Sequence, residues 1–130
     1  MTTEERVLYW VELAEYDMDT ADAMFVTKRW LYVGFMCHQV LEKILKAYWC
    51  STQSEEPPYV HNLLRLAEGS RILDSMSDIQ KRFLSEMIPM NIEARYPTYK
   101  EEIAKTLTPE RCGLMIRTTK EMMLWIKSKL

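Results

Sequence analysis

Glycine occurs three times and proline five times in 130 residues, too few for the many tight turns of an all-β fold. Cysteine occurs three times, at Cys37, Cys50 and Cys112. An odd count without metal-type spacing excludes a disulfide framework and predicts free, reduced thiols in a cytoplasmic protein. Histidine occurs twice, at His38 and His61. No apolar run approaches the ~18 residues that a membrane span requires, so no membrane association is expected. The acidic start, Met1 to Arg6, does not read as a signal peptide. There is no Gly-rich phosphate loop, zinc motif or Cys–His dyad, and neither a metal nor a cofactor is expected. Internal repeats, low-complexity segments and interdomain linkers are also missing. A formal charge of −2 argues against broad non-specific nucleic-acid binding but leaves room for a local basic patch.

What is present is helical patterning over the whole length. Hydrophobic residues make up 48%, enough for one domain, residues 1–130, with a real core. The ten methionines read as filler for an irregular core or as an oligomer interface. The stretch around Cys37 to Trp49 organises the rest. At about 100° per residue, Trp30, Val33, Gly34, Cys37, Leu41, Ile44, Leu45 and Tyr48 share one face. Gln39, Glu42, Lys43 and Lys46 form a short polar window opposite. Tyr32, Phe35 and Met36 continue that side as apolar surface. A helix apolar nearly all round is contacted on most sides, so this is read as the central helix of a bundle. Gly34 within it costs about 1 kcal/mol relative to Ala, and it marks close approach of another helix, with Ala14 and Ala21 as the small residues expected opposite.

A first helix starts at Thr2 or Thr3, runs to about Val26 or Thr27, and carries Val7, Trp10, Val11, Ala14, Met18, Ala21 and Phe25 as its stripe. Asp17 flanks that stripe, either as a rim carboxylate salt-bridged to a neighbour or as the group that orients a cationic site residue. Lys28 and Arg29 make the turn into the central helix. Glu56 to Tyr59, with two prolines, reads as a stiff connector. Short helices follow over Val60 to Ile72 and after a cap at Ser75 or Ser77, the second ending at Pro89. Residues 91 to 107 read as a long loop, a length often functional in a small domain. Thr108, Pro109 and Glu110 form a cap, a first-position proline and a first-turn acid that open a last helix. Its stripe is Cys112, Met115, Ile116, Thr119, Met122, Met123 and Ile126. Leu124 and Trp125 lie off the stripe, as a partner surface or as part of a helix wrapped by its neighbours. The expected architecture is all-α: an up-and-down bundle of four to five helices, three long and two short.

Ala14-x-x-Asp17, then Gln39-x-x-Glu42-Lys43-x-x-Lys46-Ala47, then His61-x-Leu63, then Ala94-Arg95-Tyr96-Pro97 together resemble the HEPN family (higher eukaryotes and prokaryotes nucleotide-binding domain). The likeness spans nearly the whole chain, and it looks like a small stand-alone prokaryotic member. It implies a helical bundle, commonly a homodimer. Relatives include substrate-binding domains of aminoglycoside nucleotidyltransferases, and stand-alone members are often encoded beside a minimal nucleotidyltransferase as toxin–antitoxin-like pairs. Many members are metal-independent endoribonucleases, marked by Arg, four to six residues and His near the start of the last helix. Here the last helix offers Arg111 and Arg117 with no following His.

RNA cleavage without a metal needs a base, an acid and a cation for the phosphorane. His61 suits acid or base, or else a local capping or packing role. Lys43, Lys46, Arg95 and Tyr96 suit a phosphate or nucleotide cradle. Alternatively, the lysines make salt bridges within the bundle, and Arg95 to Pro97 form a structural turn. His38, four residues before Glu42, is read as half of a helix-surface pair. Two function classes follow. One is a non-catalytic nucleotide- or substrate-binding partner of a minimal nucleotidyltransferase. The other is a divergent ribonuclease using His61 and Arg95. The first is preferred, since no evident catalytic set is present.

Overall fold

The structure, a computed structural model, describes residues 1–93 and 96–130. Among them there are six α-helices and no strand: α1 Thr3–Val26, α2 Trp30–Thr52, α3 Leu63–Gly69, α4 Asp78–Met87, α5 Pro97–Thr106 and α6 Pro109–Lys127. Short 3-10 turns at Ile72–Ser75 and Ile88–Met90 follow α3 and α4. The three long helices are the expected ones.

Local chemistry explains the boundaries. Thr2 caps α1 in a reciprocal capping box with Glu5, and Ser77 caps α4 in another with Gln80, each pair satisfying two otherwise orphaned donors. Of the two serines considered, Ser77 is the cap. Lys28 turns α1 into α2 with a positive φ of 61°, a left-handed conformation that costs a non-glycine residue roughly 1–2 kcal/mol. Thr108 accepts from the Arg111 amide, and Pro109 takes the first position of α6, as the sequence predicts.

The hydrophobic core is built around α2. Its Val33, Cys37, Val40, Leu41, Ile44, Leu45 and Ala47 are fully buried. α1 and α6 flank it, and α3, α4, α5 and the second 3-10 turn close the remaining sides. Ala14 and Met18 of α1 and Met115, Met122 and Ile126 of α6 complete the interior. Met18, Met76, Met87, Met90, Met115, Met122 and Met123 all serve as core filler.

Three expectations need correction. The segment 91–107 is not simply a long loop, because it contains α5. Tyr96 is the N-cap and Pro97 the first helical residue, and no α5 residue is buried. A helix without a buried face carries no apolar stripe, so periodicity passes over it. The third helix begins at Leu63 instead of Val60 and stops at Gly69. Asn62 caps it by accepting from the Arg65 amide at 3.1 Å, and Arg71 ends it with φ 73°. Gly34 does make room for a neighbour, but not for α1. A Cβ there would lie 2.9 Å from Met90 Sδ and 3.8 Å from Leu107 Cδ1, so the close approach comes from the 3-10 turn and the entry to α6.

Candidate functional site

The polar window of α2 lies against α1 on one side and the connector before α3 on the other. Asp17 of α1 pairs with Lys43 of α2. One turn further along, Lys46 Nζ donates to Glu42 Oε2 at 3.1 Å and sits 5.2 Å from the centre of the Trp10 ring. A cation over an indole face gains electrostatic stabilisation, more so when dry. The Glu42 and Lys46 side chains are only 6% and 7% exposed, so this pair is held inside the bundle and not on its surface.

Glu42 is the hub. Its second oxygen, Oε1, accepts from His61 Nδ1 at 2.9 Å. That bond places the ring proton on Nδ1 in neutral imidazole and leaves the Nε2 lone pair available. The His61 side chain is 62% exposed, so one imidazole edge reaches solvent while a buried carboxylate fixes the other. His38 anchors the same residue through the backbone, its Nε2–H donating to the His61 carbonyl at 3.1 Å. The expected helix-surface pair of His38 with Glu42 is therefore not what forms. His38 is fully buried, because the connector and α3 cover that side of α2, and a helix's own periodicity does not show what lies over it. Arg6 holds the start of the connector, with Nη1 donating to the Ser54 carbonyl at 3.1 Å and to Glu56 Oε1 at 3.4 Å.

The structure thus pairs Asp17 with Lys43 and, separately, gathers Lys46 and His61 on Glu42, and among the described residues no hydrogen bond or ion pair joins the two groups. Two lysines face two carboxylates, so with His61 neutral the two groups together carry no net formal charge. Tyr96 stands 85% exposed at the N-cap of α5, and no hydrogen bond or ion pair joins it to this network among the described residues. Ala94 and Arg95 lie outside the described residues. Glu42 as hub and Trp10 as lid of Lys46 were not singled out from sequence. The Glu42 to Lys46 spacing was legible, but its burial was not.

The thiols lie elsewhere. All three cysteines are free and buried, and burial pushes the Cys37 thiol up to about 12 and the Cys50 and Cys112 thiols upward as well. Among the described residues, no group of three or more His, Cys, Asp or Glu is placed to hold a metal ion. No described helix is long and apolar enough to cross a membrane.

Residues 7–129 match the HEPN domain family. The chain belongs to that family. The HEPN chain is also similar to a solved structure, described as the crystal structure of TT1696 from Thermus thermophilus. The TM-score is 0.81 at 16% identity, covering 96% of this chain and 98% of the other. At that identity the likeness bears on fold alone. No curated protein sequence matches the chain significantly.

Proposed function

We propose that this HEPN chain acts as one domain, a non-catalytic binding module that takes a nucleotide or a nucleotide-bearing substrate at the His61 edge of α2. In this reading it serves a minimal nucleotidyltransferase as its partner, as in a toxin–antitoxin-like pair. The observation that carries the reading is the single solvent-facing imidazole, backed by a buried carboxylate, beside lysines already neutralised by acids. Such an edge recognises a ligand: its Nε2 accepts from a ribose hydroxyl or, once protonated, donates to a phosphate oxygen. Lys43, 21% exposed at its side chain, is the second contact, with Asp17 orienting it. Lys46 supports the site from beneath, and Arg95 and Tyr96 complete the cradle in this reading. The partner role follows from family resemblance, and three buried thiols suit the reducing cytoplasm.

Calorimetric titration with ATP tests the site. Wild type should give binding heat that is lost in His61→Ala and Lys43→Ala and reduced in Arg95→Ala. No heat with wild type, or heat unaltered by these changes, rejects the reading. A small nucleotidyltransferase in the neighbouring reading frame that co-purifies with the chain supports the partnership, and its failure to do so counts against it.

The Glu42–His61 dyad favours one other reading, a metal-independent endoribonuclease with His61 as base and Arg95 as phosphate ligand. It ranks second because transesterification needs an acid as well as a base, and the other histidine is buried. Incubation with RNA in EDTA decides it. Cleavage abolished by His61→Ala supports the enzyme, whereas equal cleavage by both proteins, or none by either, removes it.

A further inference from the structure

The strongest nucleophiles of the chain are closed off, since all three cysteines are buried. His38 is buried too. His61 is the histidine that reaches solvent, and both its ring and its backbone are fixed. Nδ1 donates to Glu42 Oε1 at 2.9 Å, and Lys46 at 3.1 Å on Oε2 holds that carboxylate in place from the other side. The His61 carbonyl accepts from His38 Nε2 at 3.1 Å. Val60 before it packs against the core, and Leu63 after it is fully buried. What stays open is Nε2, on a side chain 62% exposed. A carboxylate behind an imidazole does two things. It holds the tautomer whose lone pair points outward, and it stabilises the imidazolium that forms when that lone pair bonds to an electrophile. The same dyad suits acid–base cleavage poorly, because the buried second histidine cannot supply the acid. A nucleophile acting by itself needs an electrophile whose leaving group departs without a proton. An acyl phosphate meets that requirement, since its acyl half leaves as a carboxylate.

The geometry points to His61 Nε2 as a phosphoryl-acceptor site, a place where the chain is modified by an acyl phosphate. The Nε2 lone pair forms the N–P bond. The P–O bond to the acyl group breaks, and its electron pair leaves on the carboxylate. No proton moves: the Nδ1 hydrogen stays on the ring, which becomes cationic, and its hydrogen bond to Glu42 becomes charge-assisted on both sides. The product is a phosphoramidate, which survives at alkaline pH and hydrolyses in acid. The site shares its Nε2 atom with the ligand-binding reading but does not depend on it, because the transfer needs no bound nucleotide.

Incubation with acetyl phosphate at pH 8 tests it, with N-acetylhistidine in the same tube as reference and with intact mass spectrometry and phosphorus NMR as readouts. Wild type should gain one acid-labile phosphoryl group, on Nε2 alone, at least about tenfold faster than the reference. His61→Gln, at an exposed position, should gain none. Glu42→Leu with Lys46→Met, checked for folding by circular dichroism, should fall to the reference rate. Nitrogen NMR of the His61 ring should show the Nδ1–H tautomer in wild type and a mixture of tautomers in the double variant. No uptake by wild type overturns the proposal. So does uptake that persists in His61→Gln, a double variant as fast as wild type, or a wild-type ring protonated mainly on Nε2.

Discussion

Replacing Glu42 by Gln changes almost nothing in shape and removes one charge from the centre of the site. Its Lys46 partner then keeps an ammonium that is 7% exposed at the side chain, with no carboxylate to compensate it. Removing one member of a buried pair typically costs 3–5 kcal/mol, more than the pair contributes relative to apolar residues, because the remaining charge stays desolvated. The Trp10 face, 5.2 Å from Nζ, offsets part of this, and the exposed His61 contact adds little, so the lower end applies: about 3 kcal/mol. At roughly 2.1 cal/mol/K per residue, the unfolding entropy of a chain this long is about 0.27 kcal/mol/K, and Tm should fall by about 11 °C. Glu42→Leu with Lys46→Met removes both charges and should recover most of the loss. Urea unfolding followed by circular dichroism measures all three proteins. A loss below about 1 kcal/mol in Glu42→Gln, or a double variant no better than the single, would refute a dry pair as the basis of the site.

Two further outcomes follow from the same structure. Gly69→Ala should destabilise by about 1–3 kcal/mol, since a Cβ there would sit 2.5 Å from the Trp49 ring; Gly34→Ala should stay within about 1 kcal/mol of wild type, as flexible Met90 can yield and the helix gains propensity. Denaturation midpoints compare the two. Stability should also decline as pH rises from 9 towards 12. Over that window the unfolded chain has released the Cys37 proton while the folded chain, with the thiol raised to about 12, retains it, so the unfolded state binds fewer protons. Unfolding at pH 8 and pH 10.5 should show the drop, and Cys37→Ala should lessen it, the remainder coming from Cys50 and Cys112, which are also shifted upward. At pH 8 a thiol-reactive dye should label none of the three cysteines until denaturant is added.

The long helices were legible because each buries a stripe: Val11, Ala14, Met18 and Ala21 for α1, and Cys112 to Ile126 for α6. α5 was not legible, because Pro97 to Thr106 contain no fully buried residue, with Ile103 alone packing against the core, and Pro97 reads equally as a turn or as a helix start. At the site, the residue types and their order along the chain were visible, as was the Asp17 alternative of a salt bridge to a neighbouring helix. Burial of His38 and Glu42 was not visible. It depends on residues 53–62 lying across α2, and spacing within one helix carries no record of a segment laid over it. Gly34 signalled a close approach correctly but not its partner, since Ala14 and Met90 are equally able to fill a gap left by a missing Cβ.

The central position of α2 also governs how the molecule comes apart. No other helix can detach without wetting part of α2, so partial opening is penalised from every direction, and loss of structure should be a single concerted event. Amide protons from Cys37 to Ala47 should exchange with solvent only when the entire chain unfolds, while those of α5, none of whose residues is fully buried, exchange sooner through fraying of its ends.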